Sequence, residues 1–149
     1  MPKISPEIIF RKHRPKALVD LVKEQGDNCF LSPFDEDYMH LLPDLSKEYG
    51  TQGYKYSRSS GVMLTNLVYV EPHVDGSVGE LTTDVALFGL LAGGKNLKLM
   101  VRRKDSIYWQ SFWMYPGDWI MFNDCDEHLV MSDTKWTGLA IQIGKGETQ

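Results

Sequence analysis

His73 and Asp75 stand two residues apart in the run Val70-Glu71-Pro72-His73-Val74-Asp75-Gly76. In an extended strand, side chains at i and i+2 point to the same face. The imidazole and the carboxylate therefore converge on one point, each with a lone pair. A second imidazole, His128, lies 55 residues after His73 and follows Asp124-Cys125-Asp126-Glu127. Two His and one carboxylate on one face of an ion form the ligand set that holds non-haem Fe(II) and leaves positions open for O2 chemistry. The other two histidines make poorer ligands. His13 sits in a basic run with Arg11, Lys12 and Arg14, and His40 lies among Leu41, Leu42 and Leu45. Cys125, in a turn between two aspartates, is more simply a turn residue than a ligand.

The elements that must position these groups are mostly strands. Val62 to Val70 is β-branched and aromatic and leads into His73. Further strands are expected over Asp84–Leu91, Asn96–Arg102, Ile107–Met114, Asp118–Phe122, Leu129–Ser132 and Trp136–Ile143. Turn signals separate them, among them Gly93-Gly94-Lys95-Asn96 and Pro116-Gly117-Asp118. Close-set short strands of this kind predict an all-β sandwich or barrel. Ahead of them, Met1–Arg14 reads as an opening strand. Pro15 suits the first turn of a helix over roughly 15–25, closed by Gly26. A second helix is expected over Asp35–Tyr49, interrupted at Pro43. Gly50–Ser60 reads as a loop or an edge hairpin. The expectation is one domain over 1–149, with helical support in 1–50 and the β core in 61–143.

Bulk properties narrow the function classes. The chain has 149 residues, 42% hydrophobic and 24% charged, the profile of a globular protein with one core. A net charge of −4 argues against a dedicated nucleic-acid binder. Cys29 and Cys125 are too few for a disulfide framework and read as reduced thiols, which points to the cytoplasm. No signal peptide or membrane span is expected from the apolar runs.

The ordered features resemble the double-stranded β-helix, or jelly-roll, of the Fe(II)/2-oxoglutarate-dependent dioxygenases. The likeness rests on Asn66-Leu67-Val68-Tyr69 before His73-Val74-Asp75, then Gly93-Gly94 before Leu97-Lys98-Leu99. It continues with Pro116-Gly117-Asp118 before Trp119–Phe122, and closes with His128 and Lys135-Trp136-Thr137. It implies a mainly β, cupin-like jelly-roll with flanking N-terminal helices. It also implies Fe(II) on His73, Asp75 and His128, with O2 and 2-oxoglutarate as cosubstrates of a hydroxylation. Members of that family usually anchor the distal carboxylate of 2-oxoglutarate with an Arg, less often a Lys, near the start of the last strand, helped by a Ser or Thr two residues on. No Arg follows Arg103 here. Lys135, with Thr137 on the same face, is the candidate, although it follows His128 by only seven residues. Lys98 and Arg102 are the alternatives.

Tyr69 shares strand parity with His73 and is a candidate donor to the cosubstrate. Tyr54 and Tyr56 are candidate substrate contacts in an open cleft, for a peptide or protein side chain, a nucleobase or a small molecule. Trp109 and Trp113 share a strand face, as a stacking surface or, more simply, as outer-face packing under the helices. Two rivals stay open. One is a cupin-type metal protein that uses no 2-oxoglutarate, against which the Asp at position 75 counts. The other is a non-catalytic jelly-roll acting as a binding or inhibitory protein, for which the chain's economy suits a viral origin.

Overall fold

The computed structural model describes residues 4–25, 30–31, 40–45, 54–75 and 85–145, with 25, 30–31, 54–66 and 145 described by backbone alone. The strands are β1 (Glu7–Phe10), β2 (Phe30–Leu31), β3 (Tyr54–His73), β4 (Val85–Gly93), β5 (Lys98–Arg102), β6 (Trp109–Trp113), β7 (Trp119–Asn123) and β8 (Glu127–Lys145). One helix, α1 (Lys16–Gln25), follows β1. Among the described residues no helix is long and apolar enough to cross a membrane.

β3 and β8 run antiparallel along their length, from Tyr54 opposite Lys145 to His73 opposite His128. Both strands serve two layers. The C-terminal half of β8 pairs with β4, in a layer ordered β1-β7-β4-β8-β3-β2. The N-terminal half of β8 pairs with β5, and β5 with β6, forming the second layer. The result is a nearly closed antiparallel barrel of jelly-roll type. Strands so long must bend to change layer, and bulges supply the bend. Between Leu67–Trp136 and Tyr69–Met131, β8 spends five steps against two of β3. The surplus residues fold onto the β4–β5 turn. Asp133 N–H donates to the Lys95 carbonyl at 2.9 Å, and Lys95 N–H donates to Thr134 Oγ1 at 2.9 Å.

Burial explains the sequence pattern. β4 and β7 are buried on both faces and so read as unbroken apolar runs. Their inward side chains, including Phe88, Ile120 and Phe122, join Leu99, Val130 and Trp136 inside the barrel. Their outward side chains, including Leu87 and Met121, pack with Leu139 and Ile141 beneath Leu18, Leu21 and Val22 of α1. Those three helix residues have the i, i+3, i+4 spacing of one helical face. α1 thus covers the β4 layer and not the β5–β6 layer. Trp113 is 55% exposed and Trp109 half-buried, so among the described residues no helix packs over the two tryptophans as expected. Lys98 Nζ instead lies 5.4 Å from the Trp113 ring and the Arg102 guanidinium 5.2 Å from the Trp109 ring, both on the outer face.

The Pro116-Gly117-Asp118 turn is held from three sides. Gly117 has φ +101°, and an added Cβ would meet Lys12 Cα at 2.9 Å, so glycine is required there. Gly117 N–H donates to the Leu90 carbonyl at 2.8 Å. Asp118 Oδ2 accepts from Tyr115 N–H and from Arg11 Nη1, each at 3.0 Å. This turn sets the register of β7 against β4.

Three expectations change. Gly50–Ser60 is not a loop throughout, because β3 begins at Tyr54. The two last strands are one, β8, because pairing with β3 and β4 resumes directly after the bulge. Of the helix expected over Asp35–Tyr49, residues 35–39 and 46–49 lie outside the described residues, and 40–45 are turn and irregular backbone.

Candidate metal centre

His73 ends β3 and His128 lies at the start of β8, directly opposite it. Their rings are 4.2 Å apart between centroids. Asp75, two residues past His73, reaches between them. Its Oδ1 is 3.5 Å from His73 Nε2 and its Oδ2 is 3.2 Å from His128 Nε2. One ligand atom from each of the three residues lies within 4.8 Å of the others, a group able to hold a metal ion.

The main chain sets the tautomers. His73 Nδ1 is 2.8 Å from the Glu71 carbonyl and His128 Nδ1 is 3.0 Å from the Asp126 carbonyl. A carbonyl only accepts, so each Nδ1 carries a hydrogen, and in the neutral ring each Nε2 then presents its lone pair. Such second contacts orient a metal-binding imidazole. The turn before His128 is itself braced. Asn123 Nδ2 donates to Asp126 Oδ2 at 3.0 Å, and Lys104 N–H donates to Asp126 Oδ1 at 3.1 Å. The Phe122 ring lies 4.6 Å from the His128 ring and fixes its other side.

Exposure is graded across the site. The His128 side chain is 7% exposed, Asp75 27% and His73 40%. One side is therefore walled and the other open. Behind the three ligands a cleft of about 130 Å³ enters the barrel between Val70, Phe88, Leu99, Phe122 and Val130, with Gln142 as a neutral polar group.

The other expected site residues are placed differently. Tyr69 is 51% exposed and does not line the cleft, whereas Val70 does. Val70 pairs with Val130 and His73 with His128, three residues of β3 against two of β8. That extra residue breaks the parity that put Tyr69 beside His73. Lys135 is exposed at the β8 bulge, its carbonyl accepting from Gly94 N–H at 3.2 Å. Thr137 is 9% exposed, and neither residue lines the cleft. Lys98 and Arg102 lie over the outer tryptophans, and Arg102 Nη2 pairs with Glu127 at 2.8 Å. Tyr54 and Tyr56 pair through their backbones with Lys145 and Ile143, and as cleft side chains they lie outside the described residues. His13 is a packing residue, with Nε2 2.6 Å from the Leu41 carbonyl. Sequence reasoning missed Phe122, Val70 and Gln142. The signal for Gln142 was present, since an amide interrupts the apolar run of the last strand.

No sequence-family profile and no curated protein matches the chain. Solved structures do match in shape. A prolyl-4-hydroxylase from Pseudomonas putida aligns over 96% of this chain and 92% of its own, at TM-score 0.60 and 11% identity. An oxidoreductase of the 2OG-Fe(II) oxygenase family from Burkholderia pseudomallei aligns over 95% of this chain and 67% of its own, at TM-score 0.54 and 13% identity. The chain therefore has the jelly-roll fold of these oxygenases, with a His-Asp-His group able to bind a metal where β3 meets β8.

Proposed function

We propose that this protein is a mononuclear non-haem Fe(II) oxygenase that consumes O2 and a 2-oxo acid to hydroxylate a second substrate. The observation that carries the reading is the convergence of two Nε2 lone pairs and one carboxylate at the mouth of an apolar cleft. Two nitrogens and one oxygen on one face suit Fe(II) and leave further positions for ligands. Bound there, iron would supply the redox chemistry that activates O2.

The chain's own residues have separable roles. His73, Asp75 and His128 would hold the ion. The Glu71 and Asp126 carbonyls keep both imidazoles in the ligating tautomer. Phe122 holds the His128 ring, and the apolar walls keep water from the cleft. The more exposed His73 side is the way in for a C–H group carried on a larger molecule, such as a peptide side chain.

The described lining of the cleft suits 2-oxoglutarate itself poorly. The acid's distal carboxylate needs a cation or several donors, and no Lys or Arg among the described residues lines the cleft.

Anaerobic calorimetry of metal-free protein with Fe(II) tests the reading. One equivalent should bind to the wild type and none to His128→Ala. Failure of the folded wild type to bind Fe(II) would overturn it.

A further inference from the structure

We infer that the cleft selects a 2-oxo acid with an uncharged, apolar tail, such as a branched-chain 2-oxo monocarboxylate, over 2-oxoglutarate. This rests on the iron reading above and deepens it. A 2-oxo acid binds iron through its carboxylate and keto oxygens, so its tail must point away from the ion. Among the described residues the space for it is the cleft behind the three side chains, whose walls are hydrocarbon apart from the neutral Gln142.

The β8 wall decides the chemistry. Running inward from His128, the β8 residues that line the cleft include Val130, Ala140 and the neutral Gln142, none charged, and Trp136 and Gly138 lie between them in the barrel interior. At Gly138 even a methyl group would meet Trp136 Cζ3 at 2.8 Å and Phe88 Cε1 at 3.1 Å. Two aromatic rings thus fill the space where a longer inward side chain on that strand would stand. Among the described side chains, the nearest cations of the neighbouring strands are engaged elsewhere. Lys98 and Arg102 lie over outer-face rings, and Lys135 sits exposed at the bulge. Arg103 has a buried Nε without a hydrogen-bond partner, but it does not line the cleft. Trp136 Nε1 is likewise a buried donor without a partner. A single neutral N–H does not compensate a buried carboxylate, which needs a counter-charge or several donors. An isobutyl tail needs neither and gains from leaving water. Apolar pockets discriminate by tenfold or more for each misplaced group, so a preference of at least about tenfold is expected.

The test uses the Fe(II)-loaded protein without O2. Chelation of Fe(II) by a 2-oxo acid produces a visible absorption band, and its growth gives a dissociation constant for each acid. 4-Methyl-2-oxopentanoate should bind at least tenfold more tightly than 2-oxoglutarate. Gln142→Lys, which adds a cation to the cleft wall, should reverse that order, with circular dichroism to verify folding. Arg103→Gln should leave the order unchanged. Equal or tighter binding of 2-oxoglutarate to the wild type would overturn this inference and leave the oxygenase reading standing. Loss of 2-oxoglutarate binding in Arg103→Gln would overturn it as well, by exposing a cation it excludes. Fe(II) binding with no response to any 2-oxo acid would remove the oxygenase reading too and favour a cupin-type metal protein.

Discussion

Replacing Asp75 with Asn should abolish metal-induced stabilisation while leaving the fold intact. In the wild type, the carboxylate faces two imidazole nitrogens at 3.2 and 3.5 Å. An ion bound only to the folded state stabilises it by about 2.7 kcal/mol at a hundred times its dissociation constant. For a chain of 149 residues, each kcal/mol moves the midpoint of thermal unfolding by roughly 2–4 °C. The wild type should therefore gain about 5–10 °C with saturating Co(II), a redox-stable substitute for Fe(II). The variant keeps the size of the side chain and offers an amide that can donate to either Nε2. Without metal its midpoint should lie within about 2 °C of the wild type, since the pair is partly exposed and such contacts are worth about 1 kcal/mol or less. Differential scanning fluorimetry with and without Co(II) reads both quantities. An ion pair between Asp75 and a protonated imidazole would give the opposite result: no response to Co(II) in either protein, and a less stable variant. That outcome would refute the metal site.

Phe122→Ala should cost about 3–5 kcal/mol in urea denaturation, because a buried ring is removed, and should weaken Co(II) binding through the loosened His128 ring. Gly89→Ala should lower stability by about 1–3 kcal/mol in the same assay, since the new Cβ would lie 2.5 Å from the Trp119 ring. Asp118→Ala strands the Tyr115 N–H and loses the Arg11 contact, so a loss of about 1–3 kcal/mol is expected with an unchanged Co(II) response. Trp113→Ala, on the uncovered layer, should change stability by less than about 1 kcal/mol and leave metal binding alone, by the same two measurements.

The convergence of His73, Asp75 and His128 was readable because two of the three are local. Spacing placed His73 beside Asp75, and His128 followed from the order of strands and turns around it. The Pro116-Gly117-Asp118 turn was readable for a similar reason, since Gly117 must adopt a conformation that other residues avoid. What escaped the sequence depends on irregularities that leave no residue-type signature. The extra β3 residue between Val70 and His73 exchanged Tyr69 for Val70 at the cleft. The surplus at Ser132–Lys135 put Lys135 at a turn, because alternation cannot be counted through a bulge. The tryptophans of β6 looked suited to burial, yet which layer a helix covers is settled by tertiary contacts. Here Leu18, Leu21 and Val22 chose the β4 layer.

The pairing of His73 with His128 joins residues 55 apart in the chain. Closing a loop of that length costs on the order of 4 kcal/mol in chain entropy. Strand pairing along β3 and β8 meets that cost in advance, so an incoming metal would find the three side chains already assembled and would not need to fold the chain to bind. Affinity at the mouth of the barrel is then tied to hydrogen bonds far down the same two strands. Substitutions that loosen the distant pairing near Tyr54 and Lys145 would let the ligand-bearing ends breathe, and the ion would report that loss as faster release.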